Sequence, residues 1–459
     1  MQSSHGPGAV SAVFDDGNVV SHAGLVPVMR LAEQVGLADL SDQLLSLGGS
    51  AGSNAGAKVT SVVAGMAAGA DSIDDLDVLR HGGLPRLFTG IRAPSTLGVF
   101  LRHFGIGHVA QLEKINRLML GRLHTATGVA AGTAELAFVD VDSKILEVYG
   151  RRKQGARYGY TGVRGLDLLA ATCSSPTAAP VITGTRLRAG NAGSRRKATS
   201  FVKANITTAR RYCGAGQNLL VRLDSGFYVA AVLNAVLDAG AWFSVTAPQR
   251  NPVREAIATI GPQAWTPIDY GKPLHDSETG ELLTHAEVAE TPLTVFTNPT
   301  VHRGQTITAR LIVRRTPLPT TPDQDTLFPT WRYHAIFTNS PVDAVTAEAQ
   351  HRGRAGAIEQ VFADLNNSAL AHLPSGRFAA NAAWLTLAAI THNLLRAAGT
   401  LAGPRYATAR TATIRRNLIT IATRIAHSAR RITLHLPTHW PWAEPFTTLF
   451  TATHAPPRT

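Results

Sequence analysis

The sequence predicts a mixed α/β protein whose sheet core is interrupted by a β-rich insertion and flanked by helical regions. In residues 19–130, apolar side chains recur at intervals of three and four residues, which is the periodicity of a buried helix face. From residue 131, apolar runs of strand length alternate with helical segments. Residues 250–335 are rich in Pro and Thr and contain short alternating segments, which is typical of a β-rich insertion.

The core elements follow one another in an informative order. Three strands are predicted first, and a helix, a strand, a helix and a strand follow. Their ranges are 134–149, 165–175, 179–190, 194–213, 218–224, 229–240 and 241–247. This is the order expected of an RNase H-like α/β core. After the insertion, the core resumes with a helix around Glu359 and a long apolar helix over 377–399.

These elements divide the chain into five parts. They are a helical DNA-binding or dimerisation region (1–130), the first part of the core (131–249), the insertion (250–335), the second part of the core (336–404) and a basic C-terminal region (405–459). Two predicted helices within 93–123 suit a helix-turn-helix as well as a plain helical bundle. The tail over 405–431 is predicted to be an arginine-rich helix.

The charge of the chain points to a polyanionic partner. Its 459 residues carry a net charge of +13, while 44% are hydrophobic and 16% charged, as in a folded globular protein. Nucleic acid is the commonest polyanion, and arginine, which supplies most of the positive charge, suits phosphate recognition. A genome that favours arginine codons is the alternative explanation.

The cysteines and the N-terminal sequence indicate the cellular compartment of the protein. Cys173 and Cys213 are the only cysteines, and they form no CxxC motif, which excludes a disulfide scaffold and the usual structural zinc site. The N-terminus lacks a signal pattern, and the apolar stretch 378–395 contains too many polar residues for a membrane span. We expect a soluble, cytoplasmic protein with no membrane partner.

Three acidic residues stand in contexts that suit a shared site. Asp142 ends the apolar run LAFVDVD, Asp224 ends the apolar run LLVRLD, and Glu359 lies on the predicted helix around AIEQVF. Ligands bind at the carboxyl ends of strands in open α/β sheets, so two aspartates at strand ends can converge with a glutamate on a helix.

Carboxylates are hard oxygen ligands that hold Mg²⁺ or Mn²⁺ and leave positions for water and phosphate. Two such ions, roughly 3.5–4 Å apart, activate the attacking oxygen and stabilise the leaving one. We therefore predict Asp142, Asp224 and Glu359 as catalytic residues and as ligands of two ions. Asp140 is a further candidate ligand, because alternation along the strand places it on the same side as Asp142.

Each acid also has an ordinary explanation. Asp-Ser ends many strands as a turn, which would account for Asp142. Asp224 equally suits the cap of a following helical turn. Glu359 alone fits a solvated helix residue. The joint occurrence of the three, in this order, favours the functional interpretation.

With these residues in view, the chain resembles bacterial insertion-sequence transposases of the DDE type, in particular the IS thirteen-eighty family, which is related to the IS-four group. The matching stretches are DVDSK and EVYGRRKQGARYGY, then LRAGN and VRLDSGF, then RAGAIEQVFADLNNSALAHLPSGRFAANAAWLTLA and RRITLHLPTHWPW. DDLDVLR and APSTLGVFLRHF look like that family as well, so the resemblance covers nearly the whole chain.

The resemblance implies that Asp142, Asp224 and Glu359 are the metal-binding triad. It also implies a signature of a tyrosine, an arginine and a later lysine on the glutamate helix. Here His351 stands near the tyrosine position and Arg352 or Arg354 at the arginine position. Asparagine, at 366 or 367, occupies the position where the lysine is expected.

Double-stranded DNA, at the element ends and in the target, is the expected partner, together with a homodimer on that DNA. The candidate DNA contacts are Arg151, Arg152, Lys153, Arg157, Arg188, Asn191, Arg195, Arg196, Lys197, Trp331, Arg352 and Arg354. A solvated charged face is the alternative for the basic clusters. Trp265 and Trp331 suit stacking on a flipped base, or ordinary core packing.

The sequence thus favours a transposase that cleaves DNA at terminal inverted repeats and transfers the strand. A catalytically decayed or domesticated DNA-binding protein is one alternative, and a nuclease of the same fold without strand transfer is the other.

Overall fold

Helices dominate the first third of the chain and a ten-stranded sheet dominates the rest, which confirms the mixed α/β class. The computed structural model describes residues 4, 6–130, 136–213, 218–275, 282–302, 305–317 and 331–455. Within these ranges no helix combines the length and the apolar character that a membrane crossing requires.

The N-terminal region is helical, as predicted. Its elements are β1 (Val19–Val20), α1 (Leu25–Gln34), α2 (Leu37–Leu44), α3 (Gly49–Gly52), α4 (Ala55–Ala68), α5 (Leu84–Leu87), α6 (Pro94–Arg102) and α7 (Ile106–Thr127), with 3₁₀ turns at Pro7–Ala9 and Asp74–Arg80. Gly36, at φ 72°, separates α1 from α2. Glycine adopts this left-handed conformation at no steric cost, so one long apolar pattern becomes two helices.

The core elements lie in the predicted order. They are β2 (Leu136–Glu147), β3 (Arg157–Tyr158), β4 (Arg164–Ser174), β5 (Val181–Ala189), α8 (Ala198–Cys213), β6 (Asn218–Leu223), a 3₁₀ turn (Ser225–Phe227), α9 (Ala230–Asp238) and β7 (Trp242–Thr246). Residues 134 and 135, at the start of the first predicted strand, lie outside the described residues. Strand β2 pairs antiparallel with β4 and parallel with β6, which pairs parallel with β7.

The insertion extends the core sheet. Its elements are α10 (Asn251–Ala258), a 3₁₀ turn (Pro262–Ala264), β8 (Thr266–His275), β9 (Leu282–Val295), α11 (Pro299–His302), β10 (Ile307–Pro317) and β11 (Trp331–Thr338). Strand β11 pairs antiparallel with β7, with Ile336 opposite Thr246. The hydrogen-bonded ladder therefore runs without a break from the core through β11, β10 and β9 to β8.

Two long helices bring the chain back across the core. They are α12 (Ala344–Asn366), which lies against β2 and β6, and α13 (Phe378–Leu401), which packs on α7, α4 and β5. Helix α13 is buried along almost its whole length. This burial accounts for its apolar character without a membrane.

The prediction of a helical tail is wrong in part. After α14 (Pro404–Ala407), α15 (Thr411–Ile414) and a π turn (Arg415–Ile419), the chain forms a hairpin of β12 (Thr423–Ser428) and β13 (Arg431–His435) before α16 (Ala443–His454). Strand β12 pairs with β1. Thr423 and Ile425 are buried while Arg424 is exposed. This alternation is that of a half-buried strand, and it is too short to stand out among the arginines.

Candidate active site

Asp142 and Asp224 lie side by side on neighbouring parallel strands. In the register of β2 and β6, Val141 is opposite Leu223, so the next residue on each strand is one of the two aspartates. Strand β6 ends here, whereas β2 continues along β4 to Glu147. Asp224 therefore follows a strand end as predicted, whereas the predicted strand-end position of Asp142 is wrong, because pairing with β4 extends β2 beyond it.

Asp224 is held in place by the turn that follows it. Its Oδ1 accepts a hydrogen bond from the Gly226 backbone N–H at 3.0 Å, which caps the 3₁₀ turn. Burial raises the pKa of Asp224, the charge of Asp142 raises it further, and the charge of Arg354 lowers it. Asp224 therefore both caps the turn and belongs to a cluster of interacting charges.

Arg354, on α12, pairs with Asp142, and its charge lowers the pKa of Asp224. Its Nη1 donates to Asp142 Oδ2 at 2.9 Å, while the other Asp142 oxygen accepts from the Ser143 backbone N–H at 2.7 Å. The side chains of Arg354 and Asp142 retain 15% and 20% of their exposure. The ion pair is thus open to solvent and can exchange partners.

Glu359 faces Asp142 across a cleft of about 440 Å³. The other residues of the cleft are Ser143, Lys144, Phe362, Ala363, Asn366 and Asn367. Glu359 is exposed. The Lys144 ammonium lies 5.8 Å from the centre of the Phe362 ring. A lysine therefore lies on this cleft although the helix positions carry asparagine, and sequence analysis missed it because it belongs to a different element.

Asp140 is sealed inside the sheet. Its carboxylate is fully buried, and both of its oxygens accept hydrogen bonds from Arg222, at 2.6 Å from Nε and 2.7 Å from Nη2. The Arg222 guanidinium also lies 4.1 Å from the centre of the Phe138 ring. The Asp140 oxygens are thus engaged by a cation of the protein itself. Arg222 stands inside an apolar strand, where a charge needs a buried partner, so this pair was within reach of sequence reasoning.

The same buried region fixes the register of α12. Arg222 Nη1 donates to the Gln350 carbonyl at 2.6 Å. The His351 ring lies between the hydroxyls of Ser244 and Thr246, at 2.8 and 3.0 Å. Burial and the neighbouring arginines lower the pKa of His351 to about 3, so the ring is neutral. These contacts set where Arg354 and Glu359 fall along the sheet edge.

Of the two candidate arginines on α12, Arg354 reaches the acids and Arg352 does not. Arg352 Nε donates to the buried Glu348 at 3.1 Å, and its guanidinium lies 4.8 Å from the centre of the Tyr270 ring. Arg314, on β10, contacts the same glutamate at 3.2 Å. Arg352 therefore joins α12 to the insertion.

Arg188 is buried rather than displayed to a ligand. Its Nη2 lies 2.7 Å from Asp167, and Nη1 donates to the carbonyls of Gly193, Ser194 and Arg196. Burial raises the pKa of Asp167 against the opposing charge of Arg188. This ion pair holds the loop before α8 in shape.

The remaining basic candidates lie on two adjoining exposed segments. Arg151, Arg152 and Arg157 are exposed between β2 and β4, and Asn191, Arg195, Arg196 and Lys197 are exposed between β5 and α8. The Gly190 N–H donates to the Gly155 carbonyl at 3.1 Å, which joins the segments. Lys153 differs, because its ammonium donates to the carbonyls of Leu373 and Ser375.

The insertion tryptophans enclose an arginine. The Arg315 guanidinium lies 4.1 Å from the Trp265 ring centre and 4.2 Å from that of Trp331. Both rings are half-buried, and Arg315 is also paired with Glu287. One face of each tryptophan is therefore covered within the protein. Sequence analysis named both rings but had no means of finding the cation between them.

The whole chain matches a known family model. The model is described as "Transposase DDE domain group 1", and it matches residues 3–455. The chain belongs to this family. A search of curated proteins finds no match. Among solved structures, the chain is similar to a piggyBac transposase synaptic complex with hairpin DNA, at 12% identity and a TM-score of 0.41, over 85% of this chain and 78% of that one.

This member of the transposase DDE family brings two of the three expected acids into direct neighbourhood. Within the described residues, no three His, Cys, Asp or Glu side chains are grouped closely enough to hold a metal ion as they stand. Arg354 contacts one Asp142 oxygen, and Glu359 lines the same cleft as Asp142. The donor chemistry fits Mg²⁺ or Mn²⁺, and an ion would compete with Arg354 for Asp142.

Proposed function

We propose that this chain is the DNA transposase of an insertion sequence of the IS thirteen-eighty type. It would bind terminal inverted repeats, cleave to free a 3′-hydroxyl and transfer that end to target DNA. The observation that carries the proposal is the adjacency of Asp142, within β2, and Asp224, at the end of the parallel strand β6, with Glu359 lining the same cleft as Asp142. The order β5–β4–β2–β6–β7, in which β4 alone runs antiparallel, supports an RNase H-like core.

Asp142, Asp224 and Glu359 are the proposed ligands of two Mg²⁺ or Mn²⁺ ions. When bound, the ions supply activation of the attacking oxygen and stabilisation of the leaving oxygen. Asp140 is left out of the proposed set, because its oxygens are engaged by Arg222 inside the sheet. Its role is to fix the strand that presents Asp142.

Arg354 has two proposed tasks. Clustered carboxylates repel one another, and Arg354 offsets that repulsion when no metal is bound. With Asp142 engaged by a metal, the Arg354 guanidinium would be free to contact a DNA phosphate beside the cleft, which its bidentate donors suit. Lys144 lies on the same cleft and adds a second cation for the DNA backbone.

The exposed basic segments on either side of Gly155 and Gly190 form the proposed path for double-stranded DNA. Contacts to phosphates position a duplex without reading its sequence. Because two element ends must be held together for transfer, we propose a homodimer on DNA. Arg188 contributes by holding the second basic segment in place.

Cleavage tests the proposal. The substrate is a duplex carrying the flanks of the chain's own gene, with Mg²⁺. We expect Asp142→Asn, Asp224→Asn and Glu359→Gln each to lower the cleavage rate about a hundredfold or more, because each removes a ligand. Glu255→Gln, which changes an exposed acid on α10, is the matched control and should cleave normally.

The products separate this function from its rivals. Transposition requires that the freed 3′ ends become joined to a target plasmid. Cleavage without joining would indicate a nuclease of the same fold. Salt-sensitive DNA binding without any Mg²⁺-dependent cleavage would indicate a decayed or domesticated DNA-binding protein. Full cleavage by Asp224→Asn would overturn the site itself.

A further inference from the structure

The segment between β2 and β4 carries an unusual concentration of exposed aromatic rings. We call residues 148–163 the tyrosine hairpin. Tyr149, Tyr158 and Tyr160 retain 85%, 69% and 91% of their exposure, and among the described residues Phe14 is the only other aromatic exposed to this degree. Aromatic rings stabilise a fold mainly by being buried, so these three contribute little to stability.

The tyrosine hairpin is nevertheless firmly anchored. Arg164 donates to the carbonyls of Val148, Gly150 and Arg151. On the other side, the Gln154 N–H donates to the Gly376 carbonyl at 2.9 Å, and Gln154 Oε1 accepts from the Phe378 N–H at 3.1 Å. The Lys153 ammonium adds its bonds to the 373–375 backbone.

The anchoring matters for binding. A surface that is already ordered loses little conformational entropy when it takes a ligand. The Tyr149 hydroxyl is further tied to Glu147, a bond that raises the pKa of Tyr149. The rings are therefore presented to solvent on a fixed scaffold, as a binding surface requires.

The charge of the tyrosine hairpin selects a polyanion. Residues 148–163 contain four cationic residues, Arg151, Arg152, Lys153 and Arg157, and no acidic residue. Through Gly155 and Gly190 the hairpin adjoins the second basic segment, with Arg195, Arg196 and Lys197. The partner must offer phosphates to these cations and flat faces to the rings.

Unpaired nucleic acid offers both. In a duplex the base faces are stacked inside, so arginines alone account for duplex binding and the rings find no partner. In a single strand each base exposes a π-face, and stacking on an aromatic ring strengthens binding whatever the base. We propose that the tyrosine hairpin binds an unpaired DNA strand, with Tyr149, Tyr158 and Tyr160 stacking on its bases.

This inference rests on the proposed function and refines it. Strand β2 joins Asp142 directly to the hairpin, and the five residue-to-residue steps from Asp142 to Glu147 span about 17 Å at the usual rise of a strand. An unpaired stretch on the hairpin is thus within reach of DNA that occupies the cleft. The duplex around the cut would be opened on this side.

The test compares single-stranded with duplex DNA. Binding of a labelled oligothymidylate of about 15 nucleotides, and of a duplex of the same length, is measured by fluorescence anisotropy in EDTA. We expect the triple variant Tyr149→Ala, Tyr158→Ala and Tyr160→Ala to lose affinity for the single strand by roughly thirtyfold or more. Its affinity for the duplex should change by less than about threefold.

Two matched variants keep the result interpretable. The triple replacement of the same tyrosines by phenylalanine retains the rings and should restore single-strand binding. Arg151→Gln with Arg152→Gln should weaken both DNAs alike, since phosphates are common to both. Thermal denaturation should be unchanged in all of them, because the altered side chains are exposed.

An alanine variant that binds the single strand like the parent, or that loses both DNAs equally, would overturn the proposal. Cleavage needs Mg²⁺ and binding in EDTA does not, so the two ideas fail separately. Ring-dependent binding without cleavage would refute only the catalytic function. Cleavage with no loss of single-strand affinity in the alanine variant would refute only the role of the hairpin.

Discussion

Two aspartate–arginine ion pairs that involve strand β2 differ in how far they are buried, and that difference assigns their roles. Asp140 and Asp142 are two residues apart and each contacts an arginine, Arg222 and Arg354 respectively. The first pair is sealed, with side-chain exposures of 0% and 4%. The second is open, with 20% and 15%. Arg222 also engages both Asp140 oxygens whereas Arg354 contacts only one Asp142 oxygen, so burial and the number of engaged oxygens separate a structural carboxylate from a candidate ligand.

The buried Asp140–Arg222 pair links three elements of the fold. Arg222 belongs to β6, Asp140 to β2, and the carbonyl of Gln350, which Arg222 also contacts, to α12. A buried pair whose partners are satisfied costs little to keep, whereas a lone buried charge is expensive. The open pair connects Asp142 to the side chain of Arg354 alone. This side chain is long and partly exposed, so another cation can displace it.

The largest expected effect separates the two aspartates by stability. Asp140→Ala should lower the free energy of unfolding by about 3–5 kcal/mol, because it leaves Arg222 buried without a counter-charge. Asp142→Ala should change it by about 1 kcal/mol or less, since that pair is partly solvated. Urea denaturation followed by circular dichroism measures both.

A rescue variant sharpens this result. Replacing both Asp140 and Arg222 by methionine removes the two charges together, and should recover most of the stability that Asp140→Ala loses. The comparison breaks down if Asp140→Ala proves as stable as Asp142→Ala.

The next prediction concerns how the stability of the fold depends on pH through the buried His351, which lies near Arg222. The folded-state pKa of His351 is about 3, below the ordinary value of 6.5, because the ring is buried near Arg222 and Arg354. Below pH 6.5, His351 therefore becomes protonated in the unfolded chain but stays neutral in the folded chain. Stability is present above pH 6.5 and is lost as the pH falls toward 3. Between pH 7 and 5 the loss attributable to His351 should be roughly 2 kcal/mol.

This prediction is checked by measuring the free energy of unfolding at pH 7 and pH 5, in the parent protein and in His351→Gln. The variant loses two hydroxyl contacts at every pH, but its stability should fall less on acidification, by that same amount. His372→Gln is the control, because the His372 side chain is 69% exposed. An identical pH dependence in parent and His351→Gln would show that the ring titrates freely.

Much of the core was predictable because its signals are local. Apolar runs of strand length gave β2, β4, β5, β6 and β7 within a few residues, and Asp224 follows the end of β6 as predicted, although Asp142 lies within β2 and not at its end. The element order then placed the two parallel strands next to each other, as the register confirms. Burial of whole strands leaves a strong pattern in the sequence.

What escaped prediction depends on partners distant in sequence. Alternation alone could not separate Asp140 from Asp142, since the distinction lies with Arg222 and Arg354, on other elements. The position of Lys144 on the cleft also depends on a distant element, the helix α12, and the family resemblance assigned this lysine no role. Strand β12 was mistaken for helix because its short alternation gains meaning only from pairing with β1 and β13.

The smallest expected effect concerns the open pair and the ion that would replace it. Arg354 competes with any cation for Asp142, and its positive charge repels a cation beside Asp224, so Arg354→Gln should strengthen Mn²⁺ binding in the absence of DNA by roughly tenfold. Calorimetric titration of Mn²⁺ measures this without reference to activity. Arg352→Gln, two residues earlier on α12 and paired with Glu348, should leave Mn²⁺ binding unchanged. Weaker binding in Arg354→Gln would mean that the arginine holds the acids in a shape the metal needs, and the open pair would then be as structural as the sealed one.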